Sequence, residues 1–268
     1  MAKNLFDLEN EIVVITGSSG KLGFQYSKSL IENNAKVVGL DLNENEHSSY
    51  LQEKFPDSFF FIKTDITKKK ELENGLKLIK NKIGNPTALI NNAAIDNPPL
   101  TKVSSNSFEG TSENEWDTVV NVNLKGAFLS CQVFGREFSF NKRGNIINIS
   151  SIYGLVSPDQ SIYQALNSEG NTFYKPVAYS VTKSGILNLT RYLAEYWAKD
   201  NIRVNTLSLA GVEASQDPEF VKDYTKRIPI GRMARPEEYS GAIIFLLSQA
   251  SSYMTGSNLV IDGGWTAI

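Results

Sequence analysis

Apolar and polar positions along the chain alternate in two periods, and the changeovers between them fall in a regular order. Residues 11–16 (EIVVIT) form a β-branched apolar run, which reads as a buried strand. The turn GSSGKLG follows at once, then a helical stripe with Leu22, Tyr26 and Leu30 four apart, then a second apolar run, KVVGLDL (36–42). The same alternation continues with strand FFFIKTDI (59–66) and a helix from Lys68 to Ile83, whose Leu72, Leu76, Ile79 and Ile83 share one face. ALINNAA (88–94) reads as strand four. Ser112 and Glu115 have capping-box spacing and open a long helix through about Asn141. Strand five is GNIINISS (144–151), followed by a polar loop with Pro158 and Gly170 and by a helix carrying Tyr179 and Lys183. IRVNTLSL (202–209) is strand six. Two short helices (Glu219 to Arg227 and Glu237 to Ser248) precede strand seven, NLVIDGG (258–264). Repeated strand–helix units without a linker or internal repeat predict one α/β domain over residues 1–268. Its expected fold is a Rossmann-type, doubly wound, mostly parallel seven-stranded sheet with helices on both faces.

The glycine turn adds chemistry to that pattern. In a strand–turn–helix setting Gly17 permits the tight turn, Gly20 a close approach of backbone to a pyrophosphate, and Gly23 close helix–strand packing. The helix start offers free N–H groups and a positive dipole end. Asp41, at the end of the second strand, can accept hydrogen bonds from ribose hydroxyls and would repel a 2′-phosphate, which favours NAD over NADP; Lys21 in the turn is a possible phosphate contact. Tyr179 and Lys183 stand four apart on one helix face, where an ammonium favours phenolate and so lowers a pKa that starts near ~10.

Composition narrows the alternatives. A net charge of −2 argues against a nucleic-acid surface or a polybasic membrane anchor. No apolar run approaches about 20 residues and the N-terminus lacks a secretory apolar core, so neither a membrane nor export is expected and the cytoplasm is the expected compartment. The single cysteine, Cys131, has no disulfide partner and sits among Phe128, Leu129, Val133 and Phe134 as a small buried residue. The single histidine, His47, lies in the polar stretch NENEHSSY, which reads as a surface loop. With one of each, no Ser-His-Asp triad and no metal site are expected.

TGSSGKLG, the Asp41 strand end, Asp65, NNAA, VNVNLKGAF, NISSIYG, YSVTK, IRVN and TGSNLVIDGG occur in order over nearly the whole chain. With them the sequence resembles the short-chain dehydrogenases/reductases of the single-domain branch. The resemblance implies hydride transfer between a nicotinamide and a polar alcohol or ketone, a sugar-like one included. It makes Tyr179 the general acid/base, Lys183 the group that lowers its pKa and holds the nicotinamide ribose, Ser151 the partner of the reacting oxygen, and Asn123 the holder of a water that links Lys183 to solvent. Ser151 is chosen over Ser150 because it stands three residues before Gly154. Cofactor contacts are expected from Gly17, Ser19, Gly20, Lys21, Leu22, Gly23, Asp41, Leu42, Asp65, Ile66, Asn92, Ala93, Ala94, Tyr179 and Lys183. Related proteins assemble as homotetramers or homodimers. The C-terminal run also resembles that of oxidoreductases in bacterial surface-sugar or flagellin-glycan pathways.

Four features depart from the family pattern. The glycines are spaced G-x-x-G-x-x-G, which leaves open an NAD-retaining epimerase or dehydratase acting on a sugar nucleotide; a non-catalytic nucleotide sensor is the third reading. Ala94 ends NNAA where glycine is usual, and Leu209-Ala210 replaces a Pro-Gly. The stretch between Ser151 and Tyr179 is unusually long and rich in Asn, Gln, Ser, Glu and Tyr, so it is expected either to overhang the site and hydrogen-bond a many-hydroxyl substrate or to be a surface or subunit-contact insertion.

Overall fold

A computed structural model describes residues 4–96, 107–167 and 172–268, with the side chain of Ala165 not described. Of the polar stretch expected before Tyr179, Gly170 lies outside the described residues. Seven strands, β1 (Ile12–Thr16), β2 (Lys36–Asp41), β3 (Phe59–Lys63), β4 (Ala88–Asn91), β5 (Gly144–Ser151), β6 (Ile202–Leu209) and β7 (Asn258–Ile261), form one sheet in the order β3-β2-β1-β4-β5-β6-β7. Every neighbouring pair is parallel, as the strand–helix alternation requires. The helices are α1 (Lys21–Glu32), α2 (Glu46–Lys54), α3 (Lys69–Lys82), α4 (Glu113–Val120), α5 (Ala127–Asn141), α6 (Val177–Tyr196), α7 (Pro218–Thr225) and α8 (Ser240–Leu247).

Successive side chains of a strand point to opposite faces, and both faces are covered. Val13 and Ile15 of β1 pack with Tyr26 and Leu30 of α1 and Ile243 and Leu246 of α8. Val14 lies on the other face with Leu72 and Ile79 of α3, Phe134 and Phe138 of α5, and Leu193 of α6. Burying an aliphatic or aromatic side chain of this size stabilises by roughly 1.5–3 kcal/mol, so the two layers hold the sheet rigid. Strand order reverses between β1 and β4, and the crevice beyond their carboxyl ends is where such sheets bind ligands.

Several elements differ from expectation. β3, β4 and β7 end early, leaving Asp65, Ile66, Asn92, Ala93 and Ala94 on the loops at the crevice rather than in strands. The long helix after Ser112 has its capping box, with the Glu115 N–H donating to Ser112 Oγ at 3.2 Å, but its middle, Asn121–Gly126, is a π-helical turn. Such single-turn bulges re-aim side chains and occur at functional sites. The second of the two short C-terminal helices opens as a 3₁₀ turn, Pro236–Tyr239, before α8.

His47 is a correction. It lies in α2, not in a surface loop: Asn45 caps this helix, accepting from the N–H groups of His47 at 3.1 Å and Ser48 at 3.2 Å. The His47 ring stacks on Phe24 with centroids 4.5 Å apart, and its Nδ1 is 3.0 Å from the carbonyl of Ser19. Asn45 Nδ2 donates to the same carbonyl at 2.9 Å. Helix α2 therefore braces the glycine turn from outside.

Gly23 shows how tightly that turn is built: a Cβ there would stand 2.2 Å from the carbonyl oxygen of Gly17. Gly23→Ala is expected to destabilise the protein by about 1–3 kcal/mol in urea denaturation and to weaken NADH binding. Gly241→Ala, where a Cβ meets nothing within 4 Å, should leave NADH binding unchanged and raise stability by up to about 1 kcal/mol.

Candidate active site

Two adjoining hollows lie at the carboxyl ends of the central strands, of about 470 and about 430 Å³, and share Asn92 and Ala94 in their walls. The larger is bounded by Gly17, Ser19, Gly20 and Asp41 on one side and by Asp65 and Ile66 on another. Gly17 adopts φ +67° directly against Ala93, whose Cα would lie 2.7 Å from a Cβ at position 17. Asn92 Nδ2 donates to the carbonyls of Thr16 and Gly17 at 3.1 and 3.0 Å, and the Ala93 N–H donates to Thr16 Oγ1 at 3.1 Å. The NNAA segment is thereby fixed to the glycine turn.

Gly20, the N-cap of helix α1, supplies no side-chain cap and lines the larger hollow, so the helix opens there with N–H groups that its cap leaves without a side-chain partner. That is the chemistry a pyrophosphate requires. Asp41 accepts from the N–H groups of Ser19 at 2.9 Å and Leu42 at 2.7 Å, which aims its carboxylate at the rim and leaves lone pairs for ribose hydroxyls. Leu42 is exposed beside it. The Asp65 carboxyl is held below its usual range by hydrogen bonds from Thr67 and by Lys68, against a burial effect that raises it. These residues fit an adenine dinucleotide. Lys21 instead donates from Nζ to the carbonyl of Glu213 at 3.0 Å, and Leu22 lines the smaller hollow.

The smaller hollow gathers Ser151, Tyr179 and Lys183. Ser151 ends β5 and accepts from the Tyr153 N–H at 3.2 Å; Ser150 also borders the hollow, but its hydroxyl donates to the backbone carbonyl of Lys183 at 2.8 Å. Lys183 is 4% exposed and donates from Nζ to the carbonyl of Ile149 at 2.9 Å. Its ammonium lies 5.7 Å from the centre of the Tyr179 ring. Burial pushes Lys183 down to about 8, with the charge of Asp96 opposing. Burial also pushes the Tyr179 phenol above its ordinary value; Asp96 adds to this and a hydrogen bond with Ser151 pulls the other way. In the unliganded protein desolvation of the phenolate is the largest effect on this phenol, and the Lys183 ammonium, itself weakened by burial, stands 5.7 Å from the ring centre.

Asn123 sits on the π-helical turn, buried, and clamps Ile95 from both sides: Oδ1 accepts from its N–H at 2.8 Å and Nδ2 donates to its carbonyl at 2.9 Å. Nδ2 also reaches Thr182 Oγ1 at 3.3 Å, one residue before Lys183. The Cys131 thiol, buried and pushed up to about 12, accepts a hydrogen bond from Asn91 Nδ2 at 3.1 Å and lies away from the hollow.

The long stretch before Tyr179 is built differently from expectation. It packs against α7 through an apolar cluster: Tyr163 stacks on Phe220 with centroids 5.4 Å apart, and Ile162 and Phe173 are buried beside it. Asp159 pairs with Arg227. Among the described residues, it offers the hollow two tyrosines, Tyr153 and Tyr163, with hydroxyls 2.8 Å apart, and one ammonium, Lys175, rather than a row of amides. Lys175 and its partner Asp96 were not singled out in the sequence; they come from loops 79 residues apart, and no spacing rule connects them.

A family model described as enoyl-(acyl carrier protein) reductase matches residues 17–266. Post-translational flagellin modification protein A of Campylobacter coli is 31% identical over 261 residues, covering 96% of this chain and 99% of that protein. The NAD-dependent glycerol dehydrogenase of Listeria innocua is 32% identical over 266 residues, with 97% and 96% covered. A short chain dehydrogenase from Leptospira borgpetersenii with bound NAD+ superposes with TM-score 0.87 at 35% identity, covering 99% and 97% of the two chains. A gluconate 5-dehydrogenase from Burkholderia cenocepacia, in complex with NADP and tartrate, gives 0.85 at 26% identity, with 98% of each chain covered.

Proposed function

The chain belongs to the short-chain dehydrogenase/reductase family, whose members are nicotinamide-dependent oxidoreductases, and we propose that it is an NAD-linked dehydrogenase or reductase of a small polar, sugar-like alcohol or ketone. One observation carries the reading. Tyr179, Ser151 and Lys183 meet on the wall of a hollow that adjoins the glycine-turn cleft. The dinucleotide, when bound, supplies the hydride acceptor or donor. Tyr179 moves the proton on or off the substrate oxygen, Ser151 hydrogen-bonds that oxygen, and Lys183 stabilises the phenolate and holds the ribose. Asn123 positions the backbone between the cleft and Lys183. One domain thus supplies both cofactor and substrate sites.

NAD over NADP rests on Asp41, whose carboxylate is fixed at the rim where a 2′-phosphate would meet like charge. The glycerol dehydrogenase and the Leptospira structure accord with NAD, whereas the gluconate 5-dehydrogenase structure holds NADP. An epimerase or dehydratase would retain its cofactor, so stoichiometric NADH release separates that reading. Among the described residues no helix is long and apolar enough to cross a membrane, and a cytoplasmic location is proposed with that in view. Assembly into a homotetramer or homodimer is supported by an aromatic groove of about 980 Å³ with Phe128, Phe140, Tyr192 and Tyr196 exposed.

Tyr179→Phe is expected to bind NADH with unchanged affinity, followed by fluorescence, and to lose turnover by about 10²–10⁴-fold, since only the proton path is removed. Wild-type rates would discard the mechanism. The unmodified protein should bind NADH more tightly than NADPH, and Asp41→Ala should narrow the gap; tighter NADPH binding contradicts the assignment of Asp41.

A further inference from the structure

The substrate hollow contains an ion pair that hydride and proton transfer do not use. Lys175 and Asp96 both line it and pair with one another. Among its described walls Lys175 is the second ammonium beside Lys183. The two partners are held very differently. The Lys175 side chain is only 10% exposed, against 37% for Asp96. The backbone of Lys175 is clamped by Gln160, whose Oε1 accepts from the Lys175 N–H at 2.8 Å and whose Nε2 donates to its carbonyl at 3.4 Å. Its ammonium is placed over two aromatic rings, 4.9 Å from the centre of Tyr179 and 5.9 Å from that of Tyr153. The cation is therefore fixed beside the proposed proton-transfer residue, while its carboxylate partner stands nearer to water.

We propose that Lys175 is the recognition group for a carboxylate on the substrate, so that this enzyme acts on a hydroxy acid or keto acid, and that Asp96 holds the same place in the free protein. This rests on the oxidoreductase reading and narrows its substrate class. When a substrate carboxylate binds, one ion pair replaces another: Lys175 keeps a partner, and Asp96 is released to solvent. A buried ammonium left alone would be costly, so the exchange is favourable only for an anionic ligand. A neutral polyol cannot replace Asp96 and would bind around an intact pair. The Tyr153 and Tyr163 hydroxyls on the same wall are suited to hydrogen bonds with the substrate's other oxygens.

The test compares gluconate with sorbitol, which share a carbon skeleton and differ in charge. Both are titrated into the full-length enzyme–NADH complex, with nucleotide fluorescence as the readout, and both are assayed for NADH formation with NAD+. Gluconate should bind at least about tenfold more tightly than sorbitol. Lys175→Met should weaken gluconate binding by about 10- to 100-fold, the loss of one charge-assisted hydrogen bond, and Lys175→Arg should restore most of it. Near-UV circular dichroism of both variants checks the fold. Equal binding of gluconate and sorbitol overturns the proposal, as does a Lys175→Met variant that keeps the preference for gluconate. The two failures are distinguishable. Turnover of sorbitol without preference for the acid sinks the carboxylate assignment alone, whereas tight gluconate binding without turnover of either compound counts against the oxidoreductase reading.

Discussion

Much of the site depends on burying one ammonium. Lys183 is held where β5 meets α6: its Nζ donates to the carbonyl of Ile149, its own carbonyl accepts from Ser150, and Ser184 Oγ donates to the carbonyl of Gly154 at 2.9 Å. At Gly154 a Cβ would stand 2.7 Å from the Lys183 carbonyl, so the chain leaving β5 can cross this helix so closely only with glycine. These contacts place Ser151 and Tyr179 on one wall. They also cost stability. A lysine lowered from 10.5 to about 8 carries its full burial penalty below pH 8, and the penalty fades as pH rises from 8 to 10.5. Such a cost is characteristic of a functional group rather than a structural one.

The unliganded site is a buried cavity that holds the Lys175–Asp96 pair and the Lys183 ammonium. Burial disfavours both Lys183 ammonium and Tyr179 phenolate, and Asp96 works against the phenolate while favouring the ammonium. Two ammonium groups already lie beside the phenol, Lys175 at 4.9 Å and Lys183 at 5.7 Å from its ring centre, but the first is paired with Asp96 and the second is weakened by burial. Oxidised nicotinamide is cationic, so its binding acts on the phenol in a way that the exchange of Asp96 for a substrate carboxylate does not. The first lowers its pKa; the second exchanges one negative charge for another and leaves the cofactor in control.

The strands and the residues of the site were legible because a buried parallel sheet writes long apolar runs and its carboxyl ends carry short fixed motifs. Asp41, Ser151, Tyr179 and Lys183 stand where those runs end, or on the helix behind them. Helix α2 was not legible, since Leu51 is almost its whole apolar contribution and its cap pairs Asn45 with Ser48 rather than with an acid. The π-helical turn was hidden because an extra residue per turn leaves little trace in a helical stripe, yet it is what aims Asn123 at Ile95. The long stretch before Tyr179 borders the hollow, but among the described residues it does so through Tyr153, Tyr163 and Lys175 rather than through amides. Its amides drew attention, while Ile162, Tyr163 and Phe173 had already committed it to packing on α7. Contacts between distant loops, Lys175 with Asp96 above all, leave no periodic signature.

The central claim is that Tyr179 is a proton-transfer group whose acidity is set by buried positive charge. Carbon-13 NMR of labelled tyrosine, assigned by difference from Tyr179→Phe and followed across pH with and without saturating NAD+, tests it most directly. Tyr179 should ionise above the free tyrosine value of about 10 in the unliganded protein and below it with NAD+ bound. An ionisation that does not move when NAD+ binds would contradict the account.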